Sequence, residues 1–142
     1  MQREAKTDVA LEFPVLLFHP EYGMVVKDWD TLTTTTKVAL TNKVFDNLLI
    51  VDSSGKAFRV NGARKLHGIG PFGGFNIFLN QKIRVEPNFA GEPSQMSLEA
   101  LKKRVFQSFE EWHGWSSAIN FEEMKERVRT ATSIKEIFNA LS

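Results

Sequence analysis

The order of the predicted elements along the chain constrains the fold most, because strand patterns come first and helix patterns last. Residues 12–90 contain short runs of strand-forming side chains separated by turns, whereas residues 97–142 carry apolar side chains at helical spacing. Strands and helices do not alternate, so the sequence predicts an α+β fold rather than an α/β fold. We expect a mostly antiparallel, twisted sheet of about five or six strands, with the C-terminal helices packed on one face.

The strand region begins with a hairpin and continues with a central strand. Phe13 to Phe18 and Met24 to Lys27 flank a turn at His19 to Gly23, where Pro20 fixes φ. The run from Leu48 to Val51 is apolar at every position, which predicts a strand covered on both faces.

A second hairpin follows the central strand. Asp52 to Gly55 has the composition of a turn, and residues 56–60 then alternate, with Phe58 on one side and Arg59 on the other. Residues 75–86 predict a further hairpin by the same alternation.

Three segments are expected to be less regular. We expect the polar residues 1–11 to form a frayed arm. Between Trp29 and Asn47 we expect a short helix capped by Asp30 or Thr31. Residues 87–93 contain two prolines and are expected to link the sheet to the helices.

Capping residues predict three C-terminal helices. Ser97, Asn120 and Ser133 are the expected N-caps, and a glutamate follows the last two of them by three residues. A length of 142 residues argues that the sheet and these helices form a single domain, 1–142.

Composition narrows the classes of function. The formal net charge is +1, which lacks the basic footprint that nucleic-acid binding usually needs. The chain has no cysteine, and its three histidines show no metal-ligand spacing, so we expect no disulfide, metal or cofactor. No apolar run approaches the ~20 residues of a membrane span. The sequence therefore predicts a cytoplasmic protein that does not enter a membrane, and it leaves homo-oligomers open.

Exposed aromatic and acidic residues in turns are the candidate contacts for a protein partner. The sequence contains no assembled set of nucleophile, base and orienting group, which favours a non-catalytic binding module over an enzyme. Loops on a rigid sheet often carry binding, and aromatic side chains are frequent interface anchors. The residues that we select on these grounds are Asp28, Trp29, Asp30, Phe72 and Trp115.

Two alternative functions would use different sets of residues. A small-ligand binder or an enzyme would place its site near His19, Glu21 and Asp28, in a cleft between sheet and helices. A weak nucleic-acid binder would use a basic sheet face with an exposed aromatic side chain, on which single-stranded bases stack. The residues of that face are Arg59, Phe78, Lys82 and Arg84.

One stretch carries a resemblance to known proteins. Residues 48–60 read as a strand, an Asp-x-x-Gly-Lys turn and a second strand, and a Phe-rich hairpin and a Ser-Leu-Glu-x-Leu-Lys helix follow. This layout resembles small uncharacterised bacterial α+β proteins, some of which are thought to be immunity proteins for secreted toxins. The resemblance implies a cytoplasmic protein that binds and blocks a cognate toxin, and it transfers no functional residues.

Overall fold

The computed structural model describes residues 9–20, 22–36, 39–40, 43–68, 82–111 and 121–141. Six strands and four helices are described in these ranges. The strands are β1 (Val15–His19), β2 (Tyr22–Val26), β3 (Thr34–Thr36), β4 (Leu48–Val51), β5 (Lys56–Gly68) and β6 (Lys82–Gln95). The helices are α1 (Trp29–Leu32), α2 (Leu98–Glu111), α3 (Phe121–Thr130) and α4 (Ile134–Leu141).

All six strands belong to one antiparallel sheet with the order β2-β1-β4-β5-β6-β3. Helices α2, α3 and α4 pack against one face of this sheet. The predicted α+β fold is therefore confirmed, including the number of strands and the position of the C-terminal helices.

The sheet is curled because its two edge strands are joined by a short connection. Only seven residues, 27–33, separate β2 from β3. A flat sheet would place these edges roughly 24 Å apart, at about 4.8 Å per strand. Four of the connecting residues form the single turn α1, which rises about 1.5 Å per residue, so the connection reaches roughly 20 Å at most. Leu32 of α1 accordingly packs in one cluster with Val15 of β1 and Ile83 of β6.

This curl gives the protein two apolar cores, one on each face of the sheet. The first lies between the sheet and helices α2 to α4, and the second fills the concave face under α1. Strand β4 contributes side chains to both cores, since Val51 is buried in the first core and Ile50 in the second. The prediction that residues 48–51 form a strand covered on both sides is thus confirmed.

The hairpin between β4 and β5 forms as predicted. Its turn holds Gly55 at φ +90°, a backbone conformation that residues with a side chain rarely adopt, so a substitution there would strain the turn. Phe58 lies in the second core, and Arg59 lies exposed on the face toward the helices. The first hairpin also forms, with a tighter turn than expected, because His19 and Tyr22 still pair across it.

The N-terminal segment is attached to the sheet from Val9 onward, so the expectation of a frayed arm through residue 11 is wrong for its last part. Val9 and Leu11 pack against the second core. The backbone N–H of Ser53 donates to the carbonyl of Glu12 at 2.9 Å. The attached part of the segment, residues 9–11, is apolar, unlike the polar residues that precede it.

The expected helix between Trp29 and Asn47 is shorter and starts earlier than predicted. Asp28, rather than Asp30 or Thr31, is the N-cap of α1, and the helix ends at Leu32. Residues 34–36 then form strand β3, since β-branched threonines favour extended backbone.

The expected linker at residues 87–93 is part of strand β6, and this prediction was wrong. Pro87 pairs with Ala63 of β5, and the strand continues to Gln95. Strand β3 covers β6 only from Lys82 to Arg84, so both prolines lie where β6 has one described neighbour. The N–H of Val85 donates to the carbonyl of Thr33, away from β5, and by the alternation of a strand the missing N–H of Pro87 faces the same side. No described strand pairs with β6 at that point, so a proline is tolerated there.

Two of the three predicted helix caps lie in the described residues, and both are confirmed. The side chain of Ser97 accepts the backbone N–H of Ala100 at 3.1 Å, and that of Ser133 accepts the N–H of Glu136 at 3.2 Å. Glu136 in turn accepts the backbone N–H of Thr132 at 2.6 Å. The third predicted cap, Asn120, lies outside the described residues.

Candidate functional site

Asp28, a predicted partner contact, has a structural task at the start of α1. Its Oδ1 accepts the backbone N–H of Thr31 at 2.7 Å, and its side chain is exposed. This hydrogen bond stabilises the charged form and lowers the pKa of the Asp28 carboxyl.

Trp29, the next predicted contact, anchors the turn in the second core. Its ring meets that of Phe13 edge-on, with centroids 5.5 Å apart, and the residue is half-buried. Such a contact stabilises the turn, since an edge-to-face aromatic pair contributes about 0.5–1.5 kcal/mol beyond the buried area.

Asp30 and Arg84, which the sequence assigns to different partners, contact each other. Arg84 Nη2 lies 2.6 Å from Asp30 Oδ1, and Arg84 Nη1 donates to Thr33 Oγ1 at 2.9 Å. The Arg84 side chain is 21% exposed and that of Asp30 is 76% exposed. Arg84 therefore links β6 to α1, while Asp30 still presents its carboxylate to solvent.

The predicted basic face does not form one patch. Arg59 of β5 pairs with Ala90 of β6. Ala90 in turn lies six residues beyond Arg84 along β6. At about 3.3 Å per residue this separates Arg59 from Arg84 by roughly 20 Å. Lys82 is exposed near Arg84, and Phe78 lies outside the described residues.

The alternative site near His19, Glu21 and Asp28 is not assembled by the described residues. His19 stacks on Tyr22 at one end of β2, with ring centroids 4.7 Å apart, whereas Asp28 follows the other end of that strand. Glu21 lies outside the described residues. Over the described ranges, no three His, Cys, Asp or Glu side chains are grouped so that they could hold a metal ion.

Strand β2 has an exposed surface that the sequence alone does not predict. It is an edge strand, paired with β1 alone among the described strands. Met24, at its centre, is 43% exposed and is the single exposed large apolar side chain of the described residues. The sequence signal was an uncharged strand without proline, Tyr-Gly-Met-Val-Val, but its edge position follows only from the sheet order.

Two predicted contacts, Phe72 and Trp115, lie outside the described residues. None of the helices that the structure describes is both long enough and apolar enough to span a bilayer. Comparisons with protein-family models, with curated proteins and with solved structures give no match to this chain.

Proposed function

We propose that this chain is a non-catalytic protein-binding module that receives an extended segment of its partner along strand β2. The observation that carries this proposal is that one edge of β2 pairs with no other described strand, and that Met24 is exposed at the centre of the strand. An edge strand offers N–H and C=O groups to a further strand, and pairing of this kind is a common mode of peptide recognition.

The composition of β2 supports this role. Proteins usually guard an exposed edge with lysine, proline or a bulge, because an unguarded edge pairs with other chains. Residues 22–26 contain none of these residues, and the pairing with β1 is regular over the whole strand. Methionine is flexible and polarizable, so Met24 can adapt to a partner side chain.

Charge next to the edge indicates the kind of segment that fits. Residues 27–30, which follow the end of β2, carry two carboxylates and one lysine. Asp28 and Asp30 are exposed beyond the end of β2, and Trp29 holds the turn between them in place. An extended segment with a basic residue at one end would pair with the edge and meet the carboxylate of Asp28, whereas Asp30 is already paired with Arg84.

A phage-displayed library of random short peptides, selected on the purified protein, tests the binding mode. We expect enriched peptides that combine alternating apolar residues with lysine or arginine. Met24→Lys should abolish their binding, because a charge at the centre of an edge disfavours pairing. Ala100→Lys adds the same charge at an exposed position of α2 and is the matched control.

Amide hydrogen exchange locates the peptide independently of the variant. Binding should slow exchange of amides within residues 22–26. Failure to enrich any peptide would contradict the proposal, as would equal binding by the Met24→Lys variant or protection confined to another strand. Self-association of the free protein through β2 would identify the occupant as a second copy and would also contradict it.

Within this proposal, the partner is a bacterial toxin that the module blocks by covering its surface, as the resemblance to immunity proteins implies. The test is binding to the purified product of the adjoining gene, with inhibition of that product's activity. Binding without inhibition, or no binding, would reject the immunity role and leave the peptide experiment to decide the edge-binding mode.

A further inference from the structure

A cleft of about 350 Å³ opens between the sheet and helix α2, on the face opposite the second core. Its floor is apolar and is formed by Phe18 of β1, Leu49 of β4 and Ala57 of β5, together with Met96. The volume falls at the lower end of the range that small-molecule sites occupy, about 300–1,000 Å³. The cleft is separate from the edge of β2.

The strand register aligns the floor with a cationic side chain. Phe18 pairs with Leu49, and Leu49 pairs with Arg59, so the three side chains form one row across β1, β4 and β5. Arg59 is exposed and lines the cleft at the end of this row. Its guanidinium forms no ion pair with a carboxylate of the described residues.

A second cation lines the cleft from the helix side. The guanidinium carbon of Arg104 on α2 lies 4.7 Å from the centroid of the Phe18 ring. Arg104 is half-buried, which fixes its position better than that of a surface arginine. One carboxylate, that of Glu92, also lines the cleft, so the charged side chains sum to one positive charge.

We propose that this cleft binds a small organic anion whose carboxylate meets Arg59 and Arg104 and whose apolar part rests on the half-buried Leu49 and Met96. A guanidinium presents donors in a planar fork that matches a carboxylate, and two of them select an anion over a neutral molecule. Burial of an apolar group on the floor adds affinity that a bare inorganic anion lacks.

Titration with phenylacetate, followed by amide shifts in nitrogen–proton NMR spectra, tests this site. We expect the shifts to map to residues that line the cleft. The neutral analogue 2-phenylethanol and inorganic phosphate should each bind at least about tenfold more weakly, since each lacks one of the two required features. Binding of either 2-phenylethanol or phosphate with the same affinity as phenylacetate would overturn the proposal.

Single substitutions test how each charged side chain of the cleft contributes to phenylacetate binding. Arg59→Gln should weaken phenylacetate binding about tenfold, and Arg104→Gln should do the same. Arg64→Gln, on the same strand but paired with Glu86, is the matched control and should bind normally. Glu92→Gln should bind more tightly, because it removes the like charge at the rim.

Arg59 is exposed, so its replacement should leave the fold intact even if Arg104→Gln unfolds the protein. Unchanged affinity in Arg59→Gln, weaker binding in Glu92→Gln, or shifts that map away from the cleft would each contradict the proposal. The Met24→Lys variant should bind phenylacetate normally, which keeps this test independent of the edge of β2.

Discussion

The carboxylate of Asp52 accepts the backbone N–H of Glu12, forty residues earlier in the chain, at 3.2 Å. The same carboxylate also accepts the backbone N–H groups of Ser54 and Lys56 and the hydroxyl of Ser54. Asp52 is only 1% exposed, so these four donors replace the water that the charge loses on burial. One side chain thus closes the turn between β4 and β5 and attaches the N-terminal segment to it.

We expect Asp52→Ala to lower the free energy of unfolding by about 2–4 kcal/mol, because buried donors would lose their acceptor. Urea unfolding, followed by tryptophan fluorescence, measures this change. Glu110→Gln alters an exposed carboxyl of α2 and should stay within about 0.5 kcal/mol of the wild type. A similarly small effect of Asp52→Ala would show that the turn does not depend on this carboxylate.

Local chemistry explains which parts of the fold were predictable. The turn at Asp52 to Gly55 combines a side-chain acceptor with a glycine at positive φ, and both signals act within four residues. The caps at Ser97 and Ser133 are equally local. Alternation in residues 56–60 gave the correct face for Arg59, since the period of a strand is set by its backbone.

The features of the fold that the sequence did not predict depend on pairing between segments far apart in the chain. Strand β3 exists because Thr35 pairs with Ile83, and no local pattern specifies that contact. Pro87 is expected to interrupt a strand, yet β6 continues past it, since β3 covers only the first residues of β6. The candidate sites could not be predicted from local sequence for the same reason. The edge position of Met24 follows from the order of the strands, and the cleft at Arg104 follows from the packing of a helix on the sheet.

The ion pair between Arg84 and Asp30 should contribute little to the free energy of unfolding. Replacing Arg84 should nevertheless destabilise the protein more than replacing Asp30. A double-mutant cycle with Asp30→Asn and Arg84→Met should give a coupling free energy of about 0.5–1 kcal/mol, because Asp30 is largely exposed. Arg84→Met should cost more than Asp30→Asn, since Arg84 also donates to Thr33 and the carbonyl of Asp30. Equal single-variant effects in urea unfolding would contradict this asymmetry.

Low pH should reduce the stability of the fold, in part because Asp28 becomes protonated. Its pKa is lowered in the folded chain by the N–H of Thr31, so the unfolded chain binds a proton more readily. The contribution is therefore present above the unfolded pKa, about 3.9, and is lost as pH falls through the folded value. We expect Asp28→Asn to flatten the fall of the urea midpoint below about pH 4, relative to wild type and Glu110→Gln. An unchanged slope would exclude this role for the cap.

High pH should reduce the stability of the fold through ionisation of Tyr22, the one tyrosine of the chain. Its hydroxyl donates to the carbonyl of Val44 at 2.9 Å, and burial raises its pKa to about 12. Because the folded pKa lies above the unfolded value of about 10, this group stabilises the fold fully below pH ~10, and the stabilisation is lost as pH rises toward 12.

Ultraviolet absorbance of the phenolate measures this directly, since tryptophan does not titrate in this range. The native protein should titrate near pH 12 and the urea-unfolded chain near pH 10. Tyr22→Phe should remove the absorbance change and reduce the alkaline loss of stability. A native titration near pH 10, with the fold intact by circular dichroism, would mean that the hydroxyl is hydrated and that the link between β2 and Val44 is open in solution.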